Sequence, residues 1–144
     1  MSGCPRANGW AKAYTNLLGV VFAAIATVMI FAPEQNLDQD GVKFDQFPVA
    51  GKAEVRAYYC GTAACISYVC FFTELPVALK AIQVALGGFW GSRVVGYALD
   101  GVDSNADRRF HQHAVFGFEV LGCFVATYFL WAACGGAKPD AKRN

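Results

Sequence analysis

The residues of this sequence that could do chemistry are charged side chains placed inside apolar segments. Arg93 lies in an apolar segment at residues 75–99, and Glu119 is the one acidic residue well inside the segment at residues 110–134. An arginine within a membrane span costs about 2.5–3.5 kcal/mol or more, so we expect it to have a partner of opposite charge. The sequence therefore predicts an ion pair between Arg93 and Glu119.

The two side chains are expected at similar depth in a helical bundle. Arg93 is seven residues from Asp100 and Glu119 is nine residues from Phe110, which correspond to roughly 10 Å and 13 Å at helical rise. Other polar residues are expected on the same side of the bundle. The predicted buried polar cluster consists of Arg56, Arg93, Glu119, His113 and Tyr97.

This cluster has a structural and a functional interpretation. The ion pair could fix the register of two helices, because losing either partner leaves a buried charge uncompensated. Alternatively, buried charge in a membrane bundle marks a pocket for a polar headgroup, a proton path or a ligand. The sequence contains no pattern typical of an activated nucleophile, a glycine-rich phosphate loop or a metal triad, so we expect no catalytic residues and no enzyme.

The histidines bear on pigment or haem binding. His111 and His113 are two residues apart, so they point to different faces of a helix and cannot both ligate one haem. Binding of a pigment through a single ligand, His113, Gln83 or Glu119, stays open, and the alternative is an interfacial histidine pair at the start of a helix. No cofactor is certain from the sequence.

The cysteines predict neither a metal site nor a disulfide framework. Six are present, without a CxxC motif or a Cys/His spacing typical of zinc sites. Three of them, Cys60, Cys65 and Cys70, are five residues apart and would scatter around a helix. We interpret the cysteines as small apolar packing residues.

The elements that position the polar cluster are four apolar segments. The chain is 56% hydrophobic and 16% charged, whereas a soluble domain carries about 25% charged residues. We predict a single all-α domain over residues 1–144, an integral membrane antiparallel four-helix bundle. Its spans are predicted at about residues 10–32, 57–73, 75–99 and 110–134, with a membrane-surface loop at residues 34–55.

Small residues in the second and third spans predict where helices approach closely. Gly88, Ser92 and Gly96 recur every four residues and share one helix face, and Gly61 belongs to a similar stripe. In lipid, such residues allow close contact between helix backbones. We therefore predict Gly61, Gly88, Ser92 and Gly96 as helix-packing residues.

Charge distribution bears on location and partners. Basic residues concentrate in the terminal segments and the short middle connection, whereas most acids lie in the two long loops. The positive-inside rule then predicts both termini on the cytoplasmic, matrix or stromal side of a multi-pass protein. We expect an organelle inner or thylakoid membrane as the location. The net charge of +1 excludes a nucleic-acid surface.

Three motifs together resemble a known family. These are R-A-Y-Y-C-G at residues 56–61, G-G-F-W-G-S-R at residues 87–93, and Glu119 in the last span. The pattern resembles an uncharacterised family of small four-span membrane proteins, a domain of unknown function distantly similar to the DoxX-like group. The sequence departs from that pattern at Cys60, where a glycine is usual, and in the inserted Ser92. The resemblance implies the four-span fold and the Arg/Glu cluster, and no activity.

The sequence leaves two functions open. The first is a non-catalytic accessory subunit of a larger membrane protein complex, energy-transducing and of photosynthetic or respiratory type. The second is a stand-alone four-helix membrane protein that binds lipid, pigment or a small ligand, or acts as a small transporter. For both functions we expect contact with membrane lipids and a bound lipid. For the first we also expect other membrane-protein subunits as partners.

Overall fold

The computed structural model describes residues 5–37, 43–101 and 106–134, and this part of the chain is helical without a strand. The helices are α1 (Pro5–Phe31), α2 (Pro33–Leu37), α3 (Val49–Phe72), α4 (Leu75–Asp100) and α5 (Ala106–Cys134). One turn of 3₁₀ helix, Phe44–Gln46, precedes α3. The prediction of an all-α fold is confirmed for these residues.

Proline, threonine and glycine terminate the long helices. α1 stops before Pro33, which has no N–H to donate to the preceding turn. At the end of α3, Thr73 is extended and its hydroxyl donates to the Val69 carbonyl at 2.6 Å. α4 ends at Asp100, and the next residue is Gly101, whose φ of +81° favours glycine and whose N–H donates to the Tyr97 carbonyl. These breaks leave a link of two residues between α3 and α4, so the two helices must run antiparallel.

The helices differ in extent from the predicted spans. α1 begins five residues before residue 10, and α5 begins four residues before residue 110. The largest difference is at α3, which begins at Val49 inside the predicted surface loop. The loop expected at residues 34–55 is therefore partly helical, because Pro48 starts a helix that continues without a break through Arg56. Residues 38–42 of that loop lie outside the described residues.

The four long helices form a bundle. α1 packs chiefly against α3, and α4 chiefly against α5, while α3 and α4 are neighbours through their short link. The bundle closes where the ring of Tyr14 in α1 meets that of Phe129 in α5, with centroids 5.7 Å apart. α1 therefore begins, and α5 ends, at the same end of the bundle.

Two apolar clusters make up the interior. The main cluster draws residues from all four long helices: Leu18, Phe22, Ala26, Ala63, Ile66, Cys70, Ile82, Leu86 and Ala126. A smaller cluster of Met29, Leu37 and Phe44 lies at the end where α1 stops and α3 begins. This second cluster ties α2 and the 3₁₀ turn to the bundle.

Two of the long helices are apolar enough, over sufficient length, to cross a membrane: residues Asn8–Phe31 and Arg109–Ala132. α3 and α4 are also long, with 24 and 26 residues, but within the described residues they are less apolar than these two spans. The tyrosines, glycines and isolated polar residues of α3 and α4 lower the mean hydropathy of these two helices. The structure thus supports two candidate spans, and the four-span topology stays a prediction.

Candidate functional site

The site is centred on Arg93 of α4 and Glu119 of α5. The Nε–H group of Arg93 donates to both carboxylate oxygens of Glu119, at 3.1 Å to Oε1 and 2.9 Å to Oε2. Glu119 is 5% exposed, and the side chain of Arg93 is 31% exposed. The carboxylate is therefore buried in the seam between α4 and α5, while the guanidinium reaches the edge of that seam.

Tyr97 lies one turn beyond Arg93 along the same face of α4. Its ring makes edge contacts with His113, at 6.4 Å between centroids, and with Phe116, at 6.2 Å. The Tyr97 hydroxyl is buried and has no hydrogen-bond partner among the described residues. Tyr97 and His113 are thus brought together on the side of the ion pair where α4 ends and α5 begins. His113 is exposed, however, so the prediction that it belongs to the buried cluster is wrong.

Gln112 was not predicted as part of the cluster. Its Oε1 is buried and, like the Tyr97 hydroxyl, has no hydrogen-bond partner among the described residues. Gln112, Phe116 and Glu119 occupy one face of α5 at i, i+4 and i+7 spacing. The spacing from Glu119 could have identified Gln112, since any polar residue on that face is directed at α4.

Two of the three predicted pigment ligands, Gln83 and His113, lie far apart. Nε2 of Gln83 donates to the Thr127 hydroxyl at 2.9 Å, so its amide joins α4 to α5. Gln83 precedes Tyr97, the neighbour of His113, by 14 residues along α4, or about 21 Å at helical rise. Gln83 and His113 therefore belong to separate sites, and any pigment would have to use one without the other.

Arg56 does not join Arg93 and Glu119 as predicted. Its Cζ lies 4.9 Å from the centroid of the Phe44 ring, where Lys52 also contributes a cation. The prediction relied on Arg56 being at the correct end of the bundle, but the 3₁₀ turn places an aromatic ring against that face of α3. The Arg56 guanidinium therefore stacks on the Phe44 ring and does not reach the ion pair.

The predicted packing residues make no close contact with another helix of the described chain and border open space. Gly61, Gly88 and Ser92 line an open groove of about 710 Å³ between α3 and α4. A Cβ atom added at Gly61, Gly88 or Gly96 would meet nothing within 4 Å. Ser92 donates its hydroxyl to the Gly88 carbonyl within the same helix, at 2.6 Å. Within this chain, these small residues leave a surface groove instead of a close helix contact.

Side chains of neighbouring helices pack tightly on two other glycines. A Cβ at Gly19 would lie 2.8 Å from Cζ of Phe71, and a Cβ at Gly122 would lie 2.5 Å from Cδ1 of Leu86. Each glycine carbonyl also accepts a hydrogen bond from another helix, from Ser67 at 2.9 Å and from Tyr14 at 2.6 Å, respectively. These positions join α1 to α3 and to α5.

The described residues contain no group of three or more histidine, cysteine, aspartate or glutamate side chains arranged to hold a metal ion. The Arg93–Glu119 site combines one buried carboxylate, one guanidinium and two buried hydrogen-bonding atoms at Tyr97 and Gln112. Such a set can hold a small polar group or bind a proton, and it can fix the relative position of α4 and α5.

Comparison of the chain with models of protein families, with curated proteins and with solved structures finds no match. The resemblance to small four-span proteins of the DoxX-like kind therefore stays a prediction.

Proposed function

We propose that this chain is a membrane-embedded four-helix bundle that serves as a non-catalytic accessory subunit of a larger membrane protein complex, of energy-transducing type. The observation that carries the proposal is apolar exposure on every long helix. Large exposed apolar side chains include Leu17 and Phe31 of α1, Tyr68 and Phe72 of α3, Val84 and Leu99 of α4, and Leu121 and Phe124 of α5. Soluble monomers rarely expose apolar surface on this scale.

Burial within the two candidate spans favours a membrane over an aqueous surrounding. The core helix of a soluble protein is mostly buried, whereas only 33% of the most apolar window of Asn8–Phe31 and 17% of that in Arg109–Ala132 are buried inside the protein. Their outward faces need an apolar environment, which lipid or a partner subunit would supply.

The integration of α1 supports its retention in the folded protein. An apolar helix near an N-terminus can also be a cleaved signal sequence. Here Gly19 of α1 accepts the hydrogen bond from Ser67, and Tyr14 donates to Gly122 of α5. Removal of α1 would leave the Ser67 hydroxyl and the Gly122 carbonyl without these partners. It would also uncover the core residues Ile66 and Cys70 of α3.

The accessory role is supported by the groove between α3 and α4. Its lining of small residues, Gly61, Gly88 and Ser92 among them, is unused for packing inside the chain. In a membrane such a surface suits the helix of another subunit, because small side chains permit close backbone contact. The proposal keeps both termini on the cytoplasmic, matrix or stromal side of an organelle inner or thylakoid membrane.

Membrane extraction and native-size analysis test the proposal. We expect the full chain to stay in the membrane fraction after alkaline carbonate washing. In mild detergent it should migrate with other membrane proteins, at a size well above that of its own dimer. Release by carbonate would contradict the membrane assignment, and migration as a monomer or homodimer would contradict the accessory role.

A second function, binding of a lipid, pigment or small ligand by the bundle itself, is favoured by one observation. The buried Tyr97 hydroxyl and Gln112 Oε1 lack partners among the described residues and lie along the same seam as the Arg93–Glu119 pair. Buried polar atoms are normally hydrogen-bonded. Mass spectrometry and absorbance of the chain purified in mild detergent would detect a retained ligand, and Tyr97→Phe with Gln112→Leu should lower its occupancy.

A further inference from the structure

Two cations of α3 converge on one buried aromatic ring. Nζ of Lys52 lies 5.6 Å, and Cζ of Arg56 lies 4.9 Å, from the centroid of Phe44. Phe44 is 2% exposed because it packs with Met29 and Leu37 at the end of the bundle. The attraction of each cation for the ring holds both charges in one place.

The positive charge of this pair is not balanced within the described chain. Lys52 and Arg56 are one helical turn apart, so their like charges repel. Neither forms an ion pair with a described residue, although Asp45 and Glu54 are close in sequence and exposed. The first turn of α3 contains no acidic residue. An anion bound between the two cations would relieve this repulsion.

The surroundings of the pair indicate an anion with an apolar part. Phe31, at the end of α1, is 81% exposed, and Val49, at the start of α3, is 86% exposed. Both belong to the end of the bundle that carries Phe44, as the packing of Met29 against Phe44 requires. Lysine and arginine are the side chains that most often bind phosphate, as a point charge and a planar fork.

We infer that Lys52 and Arg56 bind the phosphate of an anionic phospholipid at the end of the bundle where α3 begins. The Phe44 ring positions the two cations, and exposed Phe31 contacts the acyl region. The inference rests on the proposed membrane embedding and deepens it by naming a lipid class. The site is separate from the Arg93–Glu119 pair in the seam of α4 and α5.

Thermal unfolding of the full chain in mild detergent tests this site. We expect added phosphatidylglycerol to raise the Tm by roughly 3 °C more than phosphatidylcholine does, since a ligand that binds only the folded state stabilises it. The double variant Lys52→Gln/Arg56→Gln should lose this difference. The charge-preserving variant Lys52→Arg/Arg56→Lys should keep it, which separates loss of charge from damage to the fold.

Lys80→Gln is the matched control, because Lys80 is an exposed cation near the opposite end of the bundle. It should respond to phosphatidylglycerol as the unmodified chain does. An equal response to both lipids, or a full response in the Gln/Gln variant, would overturn the site. An equal rise with inorganic phosphate would overturn the lipid assignment. Monomeric migration would count against the accessory role alone, since a selective Tm rise would still support the lipid site.

Discussion

At the scale of single residues, the two members of the Arg93–Glu119 ion pair differ in burial. The Glu119 side chain is 6% exposed, whereas that of Arg93 is 31% exposed. A buried carboxylate left alone has little access to water, but a long arginine side chain can turn its guanidinium outward. Loss of Arg93 should therefore be more damaging than loss of Glu119.

We predict that Arg93→Ala lowers the free energy of unfolding by about 3–5 kcal/mol, as found for breaking a buried ion pair. Glu119→Ala should lower it by less, because Arg93 is partly exposed. The double variant should be less damaging than the sum of the single variants, as measured by denaturant unfolding in mild detergent. Additive effects in this double-mutant cycle would show that the two residues do not interact.

The Arg93–Glu119 pair could be predicted from the sequence, whereas the position of Arg56 could not. The apolar segment at residues 110–134 offers Arg93 one acidic partner, and helical rise alone matches their depths. The direction of Arg56 depends instead on where Phe44 lies. The sequence around Phe44 has no hydrophobic periodicity, so the packing of Phe44 on Met29 depends on tertiary contacts that no local pattern encodes.

At the scale of helices, the close contacts lie at Gly19 and Gly122 instead of Gly88 and Gly96. The spacing of small residues identifies a face, but it does not say whether that face meets another helix of the same chain. The large residues opposite each glycine decide this. Leu86 and Phe71 fill the space over Gly122 and Gly19, whereas nothing in the chain covers Gly88.

Gly122→Ala tests the α4–α5 contact. The added methyl group would lie 2.5 Å from Leu86, itself 1% exposed, so overpacking should cost about 1–3 kcal/mol. Alanine also favours a helix over glycine by up to about 1 kcal/mol, so the control must show this gain without the overpacking. Gly117→Ala, also in α5 and with nothing within 4 Å, should be neutral or stabilising. Equal Tm values for the two variants would contradict tight packing at Gly122.

At the scale of the whole molecule, two cysteines of α3 can report on what surrounds the bundle. Cys65 is exposed and lines the groove between α3 and α4, whereas Cys70 is fully buried. In a soluble bundle, exposure of Cys65 would mean contact with water. In the proposed membrane bundle, it means contact with lipid or a partner subunit.

We predict that a single-cysteine variant retaining Cys65 resists a charged, membrane-impermeant maleimide in intact membranes and reacts with a small permeant one. A variant retaining Cys70 should react with neither until the protein unfolds. Mass spectrometry would quantify the labelling. Rapid modification of Cys65 by the impermeant reagent, with Cys70 still protected, would show that the groove faces water and would contradict membrane embedding.

The proposed assembly into a larger complex can be tested by altering the groove between α3 and α4. Gly88→Leu places a side chain in the open groove, where a Cβ at Gly88 meets nothing within 4 Å. The isolated chain should therefore be as stable as the unmodified chain or up to about 1 kcal/mol more stable, because leucine favours a helix more than glycine does.

In membranes, however, Gly88→Leu should hold a partner helix away from α4 and release the chain from its complex, as native-size analysis would detect. Val94→Leu changes an exposed residue of the same helix outside the groove lining, and it should leave assembly intact. A Gly88→Leu chain that is stable and still migrates with its partners would show that the groove faces lipid. The accessory subunit would then have to contact its complex through another face, and the exposed side of α5 around Leu121 and Phe124 would be the next to test.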